Sequence, residues 1–136
     1  MLALIGVLVI LGIYALGCYV VYRVIRKFDQ EVFYMETLIP IYNVYLLAKQ
    51  VMVAPGNFII INLVVLFLGS IGAGIYHSSP AVSLANFILY SLIAYLWGKI
   101  AKGLGKNFWL HAVLAFFNLP LLITVPIMAF DSSRPE

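Results

Sequence analysis

The residues able to do chemistry in this chain are few and widely spaced. Of its 136 residues, five are Asp or Glu, eight are Lys or Arg, two are His and one is Cys. A lone Cys18 forms neither a dithiol redox pair nor a multi-cysteine metal site. His77 and His111 fall on opposite sides of the membrane in the threading derived below, so they cannot share an ion. Ser78-Ser79 and Ser132-Ser133 have no base at a plausible distance, which leaves a serine nucleophile without support. The run Gly98-Lys99-Ile100-Ala101-Lys102-Gly103-Leu104-Gly105-Lys106 has the glycines and lysines of a phosphate-binding loop. The P-loop, however, requires Lys directly after its second glycine, where Leu104 stands, and no strand precedes it. The run reads as a basic turn between two helices. Acid–base chemistry would need paired carboxylates, and the apolar segments hold none. The expectation is a non-enzymatic protein with no cofactor and no metal.

The elements that position these residues follow from composition. The chain is 65% apolar and 10% charged, against about 45–50% and about 25% in a soluble domain. A chain this small cannot bury such an excess. It reads as an all-α multi-pass membrane protein of one domain, 1–136. A helix of about 20 apolar residues crosses the roughly 30 Å hydrocarbon layer. Four segments qualify, at about 2–22, 58–76, 82–97 and 109–130, the last containing Pro120 and Pro126. Their continuous apolar runs lack the alternation of barrel strands. The expected architecture is an integral membrane four-helix bundle.

Charge sets the threading. Arg23, Arg26, Lys27 and Lys49 lie between the first and second spans, and Lys99, Lys102 and Lys106 between the third and fourth. The positive-inside rule places these seven in the cytoplasm and both termini outside, with Arg134 alone on the far side. Trp97 and Trp109 flank the second basic loop, where an interfacial aromatic belt belongs. Nucleic acid is a poor partner, because Asp29, Glu31 and Glu36 dilute the first basic loop. The first span has no positive charge before its apolar run, the reverse of a secretory signal, so it reads as an uncleaved helix. Residues 32–54 are apolar but hold Glu36, Asn43, Lys49 and Gln50. Proline at position 40 suits a first helical turn. An interfacial helix at about 41–52 is expected there, between the first and second spans, with a re-entrant dip as the second option.

The polar residues of the spans fall on stripes. Asn62, Gly69, Ala73 and Tyr76 align on the second helix, and Asn86, Tyr90, Ile93 and Trp97 on the third. His111, Asn118, Leu122 and Val125 align on the fourth, and Gly6, Ile13 and Gly17 on the first. Small and amide residues on one stripe are the mark of helix packing in lipid. The sharper alternative is a polar pocket open to the cytoplasm, formed by Asn62, His111 and the motif Pro40, Tyr42, Asn43, with His111 as its titrating member.

Several pieces also form a pattern in order and spacing: Leu38-Ile39-Pro40-Ile41-Tyr42-Asn43, Pro55-Gly56-Asn57-Phe58, Ala101-Lys102-Gly103-Leu104-Gly105-Lys106 and Ala129-Phe130. Over about residues 36–132 the chain resembles an uncharacterised bacterial family of small multi-pass membrane proteins. That family has an IPIYN motif and a basic A-K-x-x-G-K turn, and some members are associated with or fused to signal peptidase I. The sequence departs from the pattern at Asp131, where glycine usually follows the phenylalanine, and at Gly103, where a bulkier residue is common. No serine–lysine pair of a signal peptidase maps onto it. The resemblance implies a bacterial inner-membrane location and no mechanism.

The expected function is that of a subunit or scaffold of a larger inner-membrane complex, with the lipid bilayer and other membrane subunits or a second copy as partners. A passive pore or small-solute transporter formed by oligomerisation is the alternative, and an intramembrane enzyme or lipid-handling protein using His111 and Asn62 the third reading.

Overall fold

The computed structural model describes residues 2–75, 80–117 and 121–135. All of its regular elements are helices: α1 (Leu2–Phe28), α2 (Tyr34–Thr37), α3 (Pro40–Val51), α4 (Pro55–Ile75), α5 (Pro80–Gly103), α6 (Phe108–Phe116) and α7 (Leu121–Phe130). Pro40, Pro55 and Pro80 each open a helix, where a missing N–H costs nothing. Within the apolar helices polar side chains bond to their own backbone: Asn62 donates to the Phe58 carbonyl, Ser70 to Leu66 and Ser91 to Phe87, each at 2.8 Å. Such internal satisfaction is what a helix surrounded by hydrocarbon requires.

Three helices are long and apolar enough to cross a membrane: Ala3–Phe28, Pro55–Gly72 and Val82–Gly103. They match the first three expected spans and identify a membrane protein. The expected fourth span is different. It is divided into α6, of nine residues, and α7, of ten. These lengths reach about 13 and 15 Å, half of a crossing each. The Phe116 ring, at the inner end of α6, packs edge-on against Phe87 and Tyr90 in the middle of α5. Asp131, just past α7, is ion-paired with Lys106, just before α6. The segment therefore enters and returns at one end, as a re-entrant hairpin. The physical reason is that the Asp131 carboxylate is drawn to ammonium groups instead of the far surface. The four-helix bundle is corrected to three long helices with inserted half-length ones. The C-terminal tail, including Arg134, is corrected to the end that carries Lys27 and Lys106.

The segment between α1 and α4 also folds back into the bundle. The Tyr14 hydroxyl donates to the Leu38 carbonyl at 2.8 Å, and the Tyr34 hydroxyl to Ala15 at 2.8 Å. Thr37, fully buried, bonds to the Tyr34 carbonyl at 2.6 Å and reaches the Cys18 carbonyl at 3.5 Å. Residues 34–38 thus lie beside residues 14–18 of α1, roughly 10 Å inside the level of Arg23. From there α3 runs back until Val51 lies beside Gly103 and Phe28. The helix expected at 41–52 exists as Pro40–Val51, but it stands along α1, α4 and α5 with Leu46, Leu47 and Ala48 buried. The re-entrant option describes it better than an interfacial one.

Both insertions enter from the same end, so the core is there. Val24 and Ile25 of α1, Leu46 to Ala48 of α3, Leu96, Ile100 and Ala101 of α5 and Met128 and Ala129 of α7 contribute to it, with Trp97 buried among them. Trp97 is accordingly a core residue and only Trp109 faces outward. In the other half of the molecule only α1, α4 and α5 continue among the described residues, and Leu4 to Leu11, Phe67, Leu68 and Leu84 are exposed.

The turn from α5 to α6 fixes Lys106. Gly105 has φ 71°, Lys106 N–H bonds to the Ala101 carbonyl at 2.8 Å and Gly105 N–H to Lys102 at 3.0 Å. This is the Schellman arrangement, with glycine in the left-handed region. Asn107 then caps α6 by accepting from Leu110 N–H at 3.0 Å. Gly105→Ala is expected to lower stability by about 1–2 kcal/mol, the cost of a Cβ in the left-handed region. A thermal melt in detergent should show the drop, whereas Gly12→Ala, with open space around it, should melt no lower than wild type.

Candidate functional site

The densest polar cluster lies at the end of the bundle that carries the basic residues, here the basic end. Lys27, in the last turn of α1, donates to Asp131 Oδ1 at 2.5 Å and to its carbonyl at 2.8 Å. Lys106 pairs with Asp131 Oδ2. Ser133 completes the group, donating to Oδ1 from its hydroxyl at 2.5 Å and from its N–H at 3.2 Å. Asp131 follows α7 directly, and a carboxylate at a helix C-terminus is unfavourable unless cations offset it. Two cations do. Burial works against the charged form, but the hydrogen bonds from Lys106, Lys27 and Ser133 outweigh it and hold the carboxyl well below the usual carboxylate range.

Beside this cluster a groove opens along α1. One part encloses about 540 Å³ between Tyr19, Tyr22, Arg23 and Arg26, with Ala129 of α7 at its wall. Arg26, Lys27 and Gln30 lead into a second part of about 630 Å³ bounded by Asp131 and Arg134. The Arg23 guanidinium sits over the Phe130 ring, 5.1 Å from its centroid. Arg26 lies over Tyr22 at 5.7 Å and donates to its hydroxyl at 3.2 Å. The lysines take the Asp131 charge, and the two arginines make no ion pair among the described residues. The arrangement suits an anion at the membrane surface.

The residues singled out by sequence are placed apart from this groove. Asn62 lies beside Pro40 and Ile41 on a cavity of about 290 Å³, but the rest of its lining, including Phe58, Leu66 and Ile93, is apolar. Asn43 is on α3 near Cys18, its amide 4.0 Å from the sulfur. Tyr42 faces outward and stacks on Tyr45. His111 is on α6, its Nδ1 3.0 Å from the carbonyl of Asn107, the residue that caps that helix. The structure thus joins Asn62 to the Pro40 region and leaves His111 out of that cavity. Gly69 allows α4 to approach α5, since a Cβ there would lie 3.0 Å from Ala85. Ala73 is in α4, its side chain outside the described residues, and Asn118 is outside them altogether. Asn86 is exposed on α5 and makes no hydrogen bond among the described residues.

No groups of His, Cys, Asp and Glu able to hold a metal ion occur among the described residues. No family model, curated protein or solved structure matches the chain.

Because the folded pKa of Asp131 is depressed, its stabilisation is complete above the unfolded value of about 3.9 and fades as pH falls through the folded one. Asp131→Asn should cost about 1.5–3 kcal/mol, the worth of hydrogen bonds to charged groups. Melting temperatures measured from neutral pH downward are expected to fall toward those of Asp131→Asn in strong acid. Parallel curves at constant separation would show that this carboxylate is not the group responsible.

Proposed function

We propose that the chain is a non-enzymatic membrane subunit that assembles through the half of the bundle remote from its basic end. The observation that carries this reading is Asn86. It stands about 20 Å from Lys99 along α5, inside the hydrocarbon depth. Asn62, Ser70 and Ser91 are satisfied within their own helices, whereas the exposed amide of Asn86 has no partner among the described residues. An amide facing lipid gains by meeting another helix that can bond to it, worth about 0.6–2 kcal/mol. Gly6 on the exposed half of α1 has open space around it, which fits close approach by a neighbouring helix. A second copy or another subunit supplies that neighbour.

The basic end belongs in the cytoplasm under the positive-inside rule. With the tail returned to that end, Arg134 joins Arg23, Arg26, Lys27, Lys49, Lys99, Lys102 and Lys106 there, and the N-terminus of α1 lies outside. The resemblance of the Pro40–Asn43 and Ala101–Lys106 motifs to a bacterial membrane family supports an inner-membrane setting.

Asn86→Leu tests the assembly. Cross-linking in native membranes should capture a dimer or a larger complex with wild type, and the variant should weaken it by roughly 3- to 30-fold, the equivalent of one interhelical hydrogen bond. A wild-type chain that emerges from native membranes as a monomer with nothing bound would refute the subunit role. Solute flux into liposomes that Asn86→Leu abolishes without changing the assembly would favour a passive pore instead.

A further inference from the structure

One stripe of α1 has the shape and sequence of polarity of a membrane lipid. Residues 5, 8, 12, 16, 19, 23 and 26 recur at three- and four-residue steps and so share a face. Ile5, Leu8 and Leu16 are exposed and apolar, Gly12 leaves a notch with open space around it, and Tyr19 is partly exposed. Arg23 and Arg26 end the stripe, and both are exposed. Residues 3–22 fill about 30 Å, so the arginines stand where hydrocarbon gives way to headgroups. An acyl chain, an interfacial aromatic and a phosphate would meet the stripe in that order.

The groove beside the arginines is built for the charged end. The ring of Phe130 orients Arg23, and the ring and hydroxyl of Tyr22 orient Arg26. Stacked guanidinium groups present fixed donors that match a phosphate. Among the described residues two carboxylates border the groove. Asp131 is occupied by Lys27 and Lys106, and Glu31 lies on the far side of Arg26. Neither forms an ion pair with the two arginines. Arg134, on the continuation of the groove, adds a third guanidinium.

We infer that this α1 stripe binds one anionic phospholipid from the leaflet at the basic end, its phosphate held by Arg23 and Arg26. The phosphate end of the site is separate from the assembly through Asn86, which lies on α5 in the opposite half of the molecule. Native mass spectrometry of the detergent-purified chain, titrated with phosphatidylglycerol or phosphatidylcholine, tests it. Wild type should retain phosphatidylglycerol roughly tenfold or more over phosphatidylcholine, and R23Q/R26Q should lose that preference, as expected for two cations at a headgroup. K99Q/K102Q removes the same charge from the same end and should keep it. Equal retention of the two lipids by wild type overturns the proposal without reference to any variant. So does an equal loss in K99Q/K102Q, which would mean diffuse charge attraction. Displacement of the lipid by inorganic phosphate would assign the groove to a free anion and likewise overturn it.

Discussion

The Asp131 carboxylate between Lys27 and Lys106 ties together three parts of the chain far apart in sequence: the end of α1, the turn after α5 and the tail after α7. In lipid the hydrophobic effect does not draw helices together, so polar contacts and close packing decide which ones meet. Charges also resist passage through hydrocarbon. An acid placed directly after α7 and paired with two lysines at the basic end requires α7 to finish there. Since α6 begins two residues after Lys106, the two half-length helices must form a hairpin. The Schellman turn at Gly105 holds Lys106 in position for that contact.

From this follows the uneven cross-section. Near the basic end α3, α6 and α7 are wedged among the three long helices, and the buried core of Ile25, Leu47, Ile100 and Met128 is found there. Farther away only α1, α4 and α5 continue among the described residues, and most of their large apolar side chains face outward. The molecule is thus anchored internally at one end and open to neighbours at the other. Asn86 belongs to the open half, the arginine groove to the anchored one. The same pairing that closes the hairpin occupies the nearest acid and leaves Arg23 and Arg26 without an ionic partner among the described residues.

Much of this was legible in the residues. The three long helices follow from uninterrupted apolar runs, and the proline at position 40 marked the start of α3. The hairpin was not legible from hydropathy, because 22 apolar residues read alike whether they cross once or go in and return. Pro120 and the carboxylate of Asp131 were the available signals. A lone acid has no meaning until its partners are known, and Lys27 lies 104 positions away. The dip of residues 34–38 rests on side-chain bonds from Tyr14 and Tyr34 to backbone carbonyls, which no periodicity reveals. Likewise, the stripes drew attention to Asn62 and His111, whereas stacking of Arg23 on Phe130 depends on α7 returning beside α1.

Scanning accessibility in whole cells addresses the returning tail directly. In a Cys18→Ala background, single cysteines at Pro80, Lys102 and Ser132 would be exposed to a membrane-impermeant maleimide before and after permeabilisation. A returning α7 predicts labelling of Pro80→Cys in intact cells, with Lys102→Cys and Ser132→Cys both reached only once the membrane is opened. Labelling of Ser132→Cys from outside while Lys102→Cys stays protected would mean that residues 109–130 cross the bilayer after all, and the Asp131 contacts could not exist.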